Sequence, residues 1–576
     1  MKTYLADYKN ADGIKKTYQN KFYGYNHTLS CEDGEIWDEK NMSSDHFPVM
    51  APRQRRYVET GYYTLPLGYD RTYELMTLAE QIYNPGTPLE HSVIQFVYGA
   101  STVIEWANAF GRAQREIAWL NKKAVIMPDK KCFDSEAGTI SDLEPIVGPM
   151  QAETTDGTYE GQPALGNTLV LPGADLSVFN VGDAVKISGV TLDDITAVIR
   201  GKTTVTSNPA LVFYENTFSS GTVLYQSVTV KRAVPALDFI CQDENRLWGC
   251  SNADNTIYAS KIGDPTNWEV YDGLSTDSYA IDVGSAGPFT ACCSYQGYPT
   301  FFKEDHVYKI YGTMPSNYQL SDTMTLGVEP GSAHSLAVAG ETLFYKARPG
   351  IMAYTGGAPK LVSEVFGEEG RSYFNAVGGS DGMKYYVSVM KPDIEAQQVV
   401  PILFVYDTRY GVWHKEDDTK AVALVYKDGW MYCMAETETG SGKQMVLNGE
   451  ELVAEGGIPP FTGALESSFA SFVEFGDFVA EDPNKKGLSK IQFRCSTGSN
   501  IPIIFSISYD GGEYETIYQS APHTQYIDTQ GKKRSFYLPL TPHRCDNYRL
   551  KITGYHGWRL WTLSRDEYSG SELQKH

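Results

Sequence analysis

The 576-residue chain has little of what announces catalysis, secretion or membrane insertion. Its ten histidines are dispersed, form no HExxH pair and stand at no zinc-like spacing from cysteine. The nine cysteines, an odd number scattered from Cys31 to Cys545, include no CxxC. They fit reduced thiols buried in sheets better than a disulfide framework. The opening MKTYLADYKNADG has no apolar h-region, so a secretory leader is not expected. No apolar run is long enough to cross a bilayer. Positive charge is also scarce. Lys and Arg number 49 against 71 Asp and Glu, a net charge of −22. Proteins that grip nucleic acid or anionic membranes need clustered cations, so both classes are disfavoured.

What is abundant is tyrosine (40) and glycine (53), within a chain that is 42% hydrophobic and 13% aromatic. Tyrosine suits pleated, half-buried surfaces and glycine suits tight turns, which leans towards an all-β fold. Apolar content is sufficient for sizeable cores, and the length suggests about three or four domains.

Residues 1–90 read as an extended arm, polar and turn-rich, with a basic cluster at Arg53, Arg55 and Arg56. One short helix is expected over Tyr73–Tyr83 (YELMTLAEQIY), ending before Asn84-Pro85-Gly86. Beyond it, strand-length runs recur between short polar turns. Ala236–Gln242, Arg246–Ser251 and Thr256–Ile262 make three strands in one short segment. The layout recurs at 117–140, 289–311, 334–361, 374–413 and 421–447. That is about six units spaced roughly 40 to 50 residues apart, the period of β-propeller blades. Radial stacking would cover faces that a single small sheet leaves exposed. Large rings at Trp268, Tyr311 and Trp413 are expected where adjacent blades pack. Residues 143–234 break the period with strands such as Asn167–Leu171, Asp183–Ser188 and Ala210–Tyr214, and read as a small inserted β-barrel. Residues 469–567 read as a jelly-roll-like β-sandwich, and 568–576 as a tail. The expected fold is therefore all-β: a β-propeller (91–142 plus 235–468), the inserted barrel and the C-terminal sandwich.

Individual motifs carry little chemistry. Gly378-Gly379-Ser380-Asp381-Gly382 matches G-x-S-x-G, but a strand (Met383–Val387) follows where a nucleophile elbow needs a helix, so a hairpin turn is expected. Ser508-Tyr509-Asp510-Gly511-Gly512 is part of an Asp-box and also a plain hairpin signature; it occurs once, and the turn is favoured. Gly440-Ser441-Gly442-Lys443 lacks the first glycine of a phosphate loop. Asp243, Asp254 and Asp272 sit in turns without the spacing of a calcium loop. His414-Lys415-Glu416-Asp417-Asp418 reads as a solvated turn. Carboxylates that pair only in space, as glycoside cleavage requires, cannot be read from the chain. No residue is assigned a catalytic, cofactor-binding or metal-binding role, and no cofactor is expected.

Several segments nonetheless resemble one group. Asn245-Arg246-Leu247-Trp248-Gly249, Ile257-Tyr258-Ala259-Ser260 and Gly263-Asp264-Pro265-Thr266-Asn267-Trp268 are similar to a blade of bacteriophage virion proteins. The resemblance extends to Tyr406-Asp407-Thr408-Arg409 with Gly411, Trp413 and His414. It also covers Met42–Val49 with Pro52-Arg53, and Pro542–Asp546 with Tyr548-Arg549-Leu550. The group is the β-propeller tail nozzle, tail hub or packaged-DNA stabilisation proteins of short-tailed phages. The resemblance implies a virion tail protein, assembled in the host cytoplasm as a homo-hexameric ring beside the portal, the adaptor and other tail proteins. Such a ring would pass double-stranded DNA without sequence-specific binding, retain the packaged genome and carry no catalysis. An acidic wall would suit it, since phosphates would not cling. The basic cluster Arg53, Arg55, Arg56 would reach a neighbour or an acidic adaptor. Other readings are a glycan-binding or glycan-degrading propeller protein, with sugar held on Trp558 and Trp561, and a head-to-tail connector or neck ring.

Overall fold

The computed structural model describes residues 14–59, 76–78, 93–98, 101–107, 115–438, 440, 442–454, 456–457, 463–479, 485–498, 503–519, 531–538, 540 and 543–569. The fold is all-β, with propeller-type blades, an inserted barrel and a C-terminal sandwich. Among the described residues, one short α-helix, Gly449–Ala454, interrupts a chain of antiparallel sheets. The chain forms two compact units, 66–330 and the two flanking stretches together.

The unit 66–330 holds three four-stranded meanders. The first runs Glu116–Leu120, Lys123–Met127, Lys131–Asp134 and Thr139–Asp142. The second runs Phe239–Asp243, Arg246–Ser251, Thr256–Ala259 and Tyr279–Asp282. The third runs Ala291–Tyr295, Tyr298–Phe302, His306–Tyr311 and Gln319–Met324. Their turns use residues that tolerate a left-handed backbone. In the second meander Glu244 and Asn245 both have positive φ (42° and 62°), the conformation of a two-residue hairpin turn whose twist matches the strands. A seven-stranded antiparallel sheet, spanning Ile146–Tyr159 to Val223–Arg232, wraps an apolar core that includes Leu169, Phe179, Ile187 and Val230.

The other unit holds three more meanders. The first is Ala337–Ala339, Thr342–Ala347, Gly350–Tyr354 and Lys360–Leu361. The second is Phe374–Ser380, Lys384–Asp393, Gln398–Asp407 and Val412–Asp417. The third, Lys420–Lys427, Trp430–Glu436 and Gly442–Val446, is completed by Tyr57–Glu59 from the chain's beginning and by Gly463–Leu465. The sandwich has two sheets. One orders Ile14–Gln19, Trp558–Ser569, Lys486–Thr497 and Arg534–Leu538; the other includes Glu35–Lys40, Ala470–Phe475, Asn547–Tyr555 and Ile503–Tyr509. Phe22, Ile36, Met42 and Met50 share its core with Phe493, Phe505 and Leu563.

Two local expectations are corrected. Residues 14–59 are no arm: they supply strands to both sandwich sheets and to a blade, because their apolar side chains complete those cores. Within the segment expected to be helical, Met76–Leu78 is a strand paired with Val93–Tyr98. The β-rich partner offers ladder hydrogen bonds that outweigh a short segment's weak helical preference. The rest of that segment lies outside the described residues. Of the three rings, Trp268 and Trp413 are buried in cores, while Tyr311 is 40% exposed and lies against Tyr298 at 4.7 Å.

Candidate functional site

Segments from distant parts of the sequence meet along the strap 35–59. Strand Glu35–Lys40 lies against Ala470–Phe475, and the chain then turns at Asn41, which has φ of 60°. Asn41 acts as a hub. Its backbone N–H donates to the Glu416 carbonyl, its Nδ2 to the Ala470 carbonyl at 2.8 Å, and its Oδ1 accepts from Arg53 Nε at 2.7 Å. The following turn docks on the Tyr406–Asp407–Thr408–Arg409 corner. Ser44 Oγ donates to Asp407 Oδ2 at 2.6 Å, Arg409 Nη2 donates to the same oxygen at 2.7 Å, and Phe47 stacks on Tyr410 at 4.4 Å. Lys384 pairs with Asp45.

The basic cluster is used within the chain. Arg53 Nη1 donates to Glu466 Oε2 at 2.7 Å, and its guanidinium lies 4.0 Å over Phe469. Arg56 donates to Glu416 Oε2 at 2.6 Å and pairs with Asp417 at 2.8 Å; Arg55 pairs with Glu450 at 2.7 Å. These three arginines therefore meet carboxylates of their own unit, which corrects the expectation that they reach another protein. The segment from His414 is also no solvated turn. Val412–Asp417 is a strand, and His414 and Glu416 are buried, with Glu39 accepting from Lys415 N–H at 2.9 Å and facing His414 Nδ1 at 3.0 Å. Alternating burial along that strand was hidden because both of its faces carry polar residues. Burial alone would raise the Asp417 carboxyl, but Arg56 and Arg53 bring it down to about 2.

The other group of resemblance residues also serves packing. Arg246 is 1% exposed and donates to the carbonyls of Ser260, Asp277 and Ser275 at 2.7, 2.5 and 3.0 Å. Asn267 Nδ2 bridges Asp264 Oδ2 (2.7 Å) and Asp183 Oδ1 (3.1 Å), tying the blade to the barrel, where Arg232 Nη2 donates to Asp183 Oδ2 at 2.7 Å. Beside them lies a polar cleft of about 470 Å³, lined among others by Lys123, Lys261, Asp264 and Asn267.

The remaining sequence candidates do not assemble. Ser380 and Asp381 form a hairpin turn in which their side chains accept backbone N–H groups. Asp510 accepts from Asp546 and Asn547 N–H. Asp254 accepts from Tyr258 OH at 2.6 Å, Asp272 pairs with Arg200, and Asp243 accepts from Ser294. Trp558 is core, 1% exposed, with Nε1 donating to Ser471 Oγ at 3.0 Å. Among the described residues, no group of three or more His, Cys, Asp or Glu is placed to hold a metal ion.

One pocket next to the strap was not foreseen. It measures about 360 Å³ and is lined by residues including Asp45, His46, Glu450, Glu451, His556 and Arg559. Burial, reinforced by Arg559, pushes the His46 imidazole below its ordinary range; burial, reinforced by Arg55, does the same to His556. The two imidazoles, held towards their neutral form, and the Glu451 side chain line this pocket and can donate or accept hydrogen bonds there. Its residues lie hundreds of positions apart, so no spacing could reveal it.

No protein-family model matches the chain, and no curated protein matches it. Among solved structures the chain is similar to an exo-β-1,3-galactanase from Phanerochaete chrysosporium, with 10% identity over 57% of this chain and 94% of that one, at a TM-score of 0.21. It is similar to the endosialidase of phage phi92, with 10% identity over 87% and 82%, at 0.26. It is also similar to a sialidase from Trypanosoma rangeli, with 8% identity over 79% and 90%, at 0.20. These are glycan-cleaving proteins, which corrects the expectation of a chain without catalysis; at these values the likeness transfers neither substrate nor catalytic residue.

Proposed function

We propose that this chain is a bacteriophage virion protein built on propeller-type blades, and that it forms a ring of the tail through which DNA passes. The observation behind the tail reading is the strap. Met42–Val49, Pro52-Arg53 and the Tyr406–His414 stretch carry the resemblance to tail nozzle and hub proteins, and they pack on one another through Asn41, Ser44–Asp407 and Phe47–Tyr410. Residues that recur in such a group for their packing are expected to meet in space, as these do. The net charge of −22 suits a wall from which phosphates are repelled. On this reading the ring is a homo-hexamer beside the portal and adaptor, in the tail of a virion assembled in the host cytoplasm. The test is electron microscopy of the purified protein. Closed rings with an axial pore wide enough for duplex DNA are expected, and a monomer at every concentration and salt would overturn the reading.

A second reading is a virion-associated propeller protein that binds or cleaves glycan. The solved structures named above belong to that class, and the pocket of His46, Glu451 and His556 favours it here. Release of reducing ends from host polysaccharide, lost on His46→Ala together with Glu451→Gln, is the expected result; no release and no binding would reject it.

A further inference from the structure

The outer face of one sandwich sheet is basic in a chain that is otherwise strongly acidic. Cross-strand registers place Lys16, Asp566 and Lys490 in one row, Tyr18, Ser564, Gln492 and Tyr537 in the next, and Thr562, Arg494 and Ser535 in a third. Ile491, Phe493 and Leu563, at alternate positions, point the other way into the core. Lys16, Lys490, Arg494 and Lys533 are exposed, and none has an ion-pair partner among the described residues. Asp566 is the one acid in these rows. The cations are held in place: Lys490 Nζ sits 4.0 Å from the centre of the Tyr537 ring, Lys533 Nζ 5.1 Å from that of Trp561, and Arg494 Nε donates to Ser535 Oγ at 3.1 Å. Cation–π contacts lower the entropy cost of presenting an amine to a ligand.

We propose that this face is a docking surface for an acidic, carboxylated polysaccharide. The inference deepens the glycan reading and rests on its binding branch. Three features select this occupant. Lys490 and Arg494 stand four residues apart on one strand, about 13 Å, with Lys16 on the same face two strands away, and so can meet acids repeated along an extended chain. Between them lie hydroxyls and an amide (Tyr18, Gln492, Ser535, Thr562) able to pair with sugar hydroxyls. The three rows contain no aliphatic side chain, and their two exposed aromatic rings, Tyr18 and Tyr537, each carry a hydroxyl, which suits a sugar better than an aliphatic surface. Duplex DNA would find cations for its phosphates but no helix or ribbon to enter a groove.

The experiment measures binding of full-length protein to polygalacturonate, neutral dextran and duplex DNA at low and moderate salt. The variants are Lys490→Glu combined with Arg494→Glu, and Lys533→Gln alone, each checked for an unchanged unfolding temperature. Polygalacturonate is expected to bind, salt-sensitively, and the double variant to weaken it by at least about tenfold, the effect of some 1.4 kcal/mol. Lys533→Gln should give a smaller loss, and it keeps the proposal falsifiable should the double variant unfold. Unchanged affinity in both variants would overturn the proposal. So would equal affinity for dextran, or a preference for DNA. Dextran or host polysaccharide binding that ignores both variants would leave glycan binding standing with this face removed from it; no binding of any saccharide would remove both.

Discussion

Arg56 is the residue on which the strap's electrostatics depend. Its side chain is 3% exposed and faces Glu416 and Asp417, whose side chains are 9% and 12% exposed. Removing one partner of a buried pair strands the others without solvent, at a cost of about 3–5 kcal/mol. Arg56→Ala is therefore expected to lower the urea midpoint strongly at pH 7, and adding Glu416→Gln with Asp417→Asn should recover part of the loss. Additive losses in that cycle would show that the charges do not act as a unit. Acid should act on the same group. The Asp417 carboxyl falls from an ordinary 3.8 to about 2 on folding, so the unfolded chain binds its proton first. Its contribution of about 2 kcal/mol is complete above roughly pH 5 and fades as pH drops from about 4 to 2. Asp417→Asn should flatten the stability profile in that window relative to the parent; an identical slope would refute the assignment. None of this was legible in His414–Asp418, since a run of charged residues looks alike whether it faces water or arginine.

At the scale of elements, the sequence was most legible where turn chemistry is local. The blades announce themselves because Glu244-Asn245, Asp428-Gly429 and Gln296-Gly297 adopt positive φ between short strands, and that preference travels with the residue. It was least legible where an element's partner is distant. Tyr57–Glu59 completes a blade by pairing with Gly442–Val446, and Met76–Leu78 becomes a strand through Val93–Tyr98; neither outcome can be inferred from a local window. The contact of barrel and blade is of this kind too. Asn267 donates to Asp183 and Asp264 and accepts from the Ala184 N–H at 3.2 Å. Asn267→Ala leaves that buried amide and the Asp183 carboxylate each short of a partner, at a cost of about 1–3 kcal/mol. Hydrogen exchange is expected to quicken at Ala184 and along Ala184–Ser188, with the strands Ala291–Tyr295 and Tyr298–Phe302 unaffected. Equal quickening in all of them would mean that the side chain supports the unit at large rather than this junction.

Over the whole molecule, charge separates the readings more sharply than fold does. Propeller blades and sandwiches serve many unrelated functions, so recognising them in the sequence left the function open. The charge distribution, by contrast, makes a quantitative demand. The chain carries −22 overall, while the sandwich face gathers four exposed cations without an ion-pair partner among the described residues. Neutralising about four phosphates would give a logarithmic salt slope near −3.6, and the remaining acidic surface would oppose even that. Duplex DNA is therefore expected to be held weakly at about 0.05 M salt and released by about 0.2 M, as measured by fluorescence anisotropy with a short labelled duplex. Charge reversal at Lys490 and Arg494 should abolish the weak binding without affecting ring formation if the two are separate properties. A slope steeper than about −6 would require a cationic groove that this face cannot supply, and a protein gripping DNA that firmly could not serve as a channel through which the genome slides.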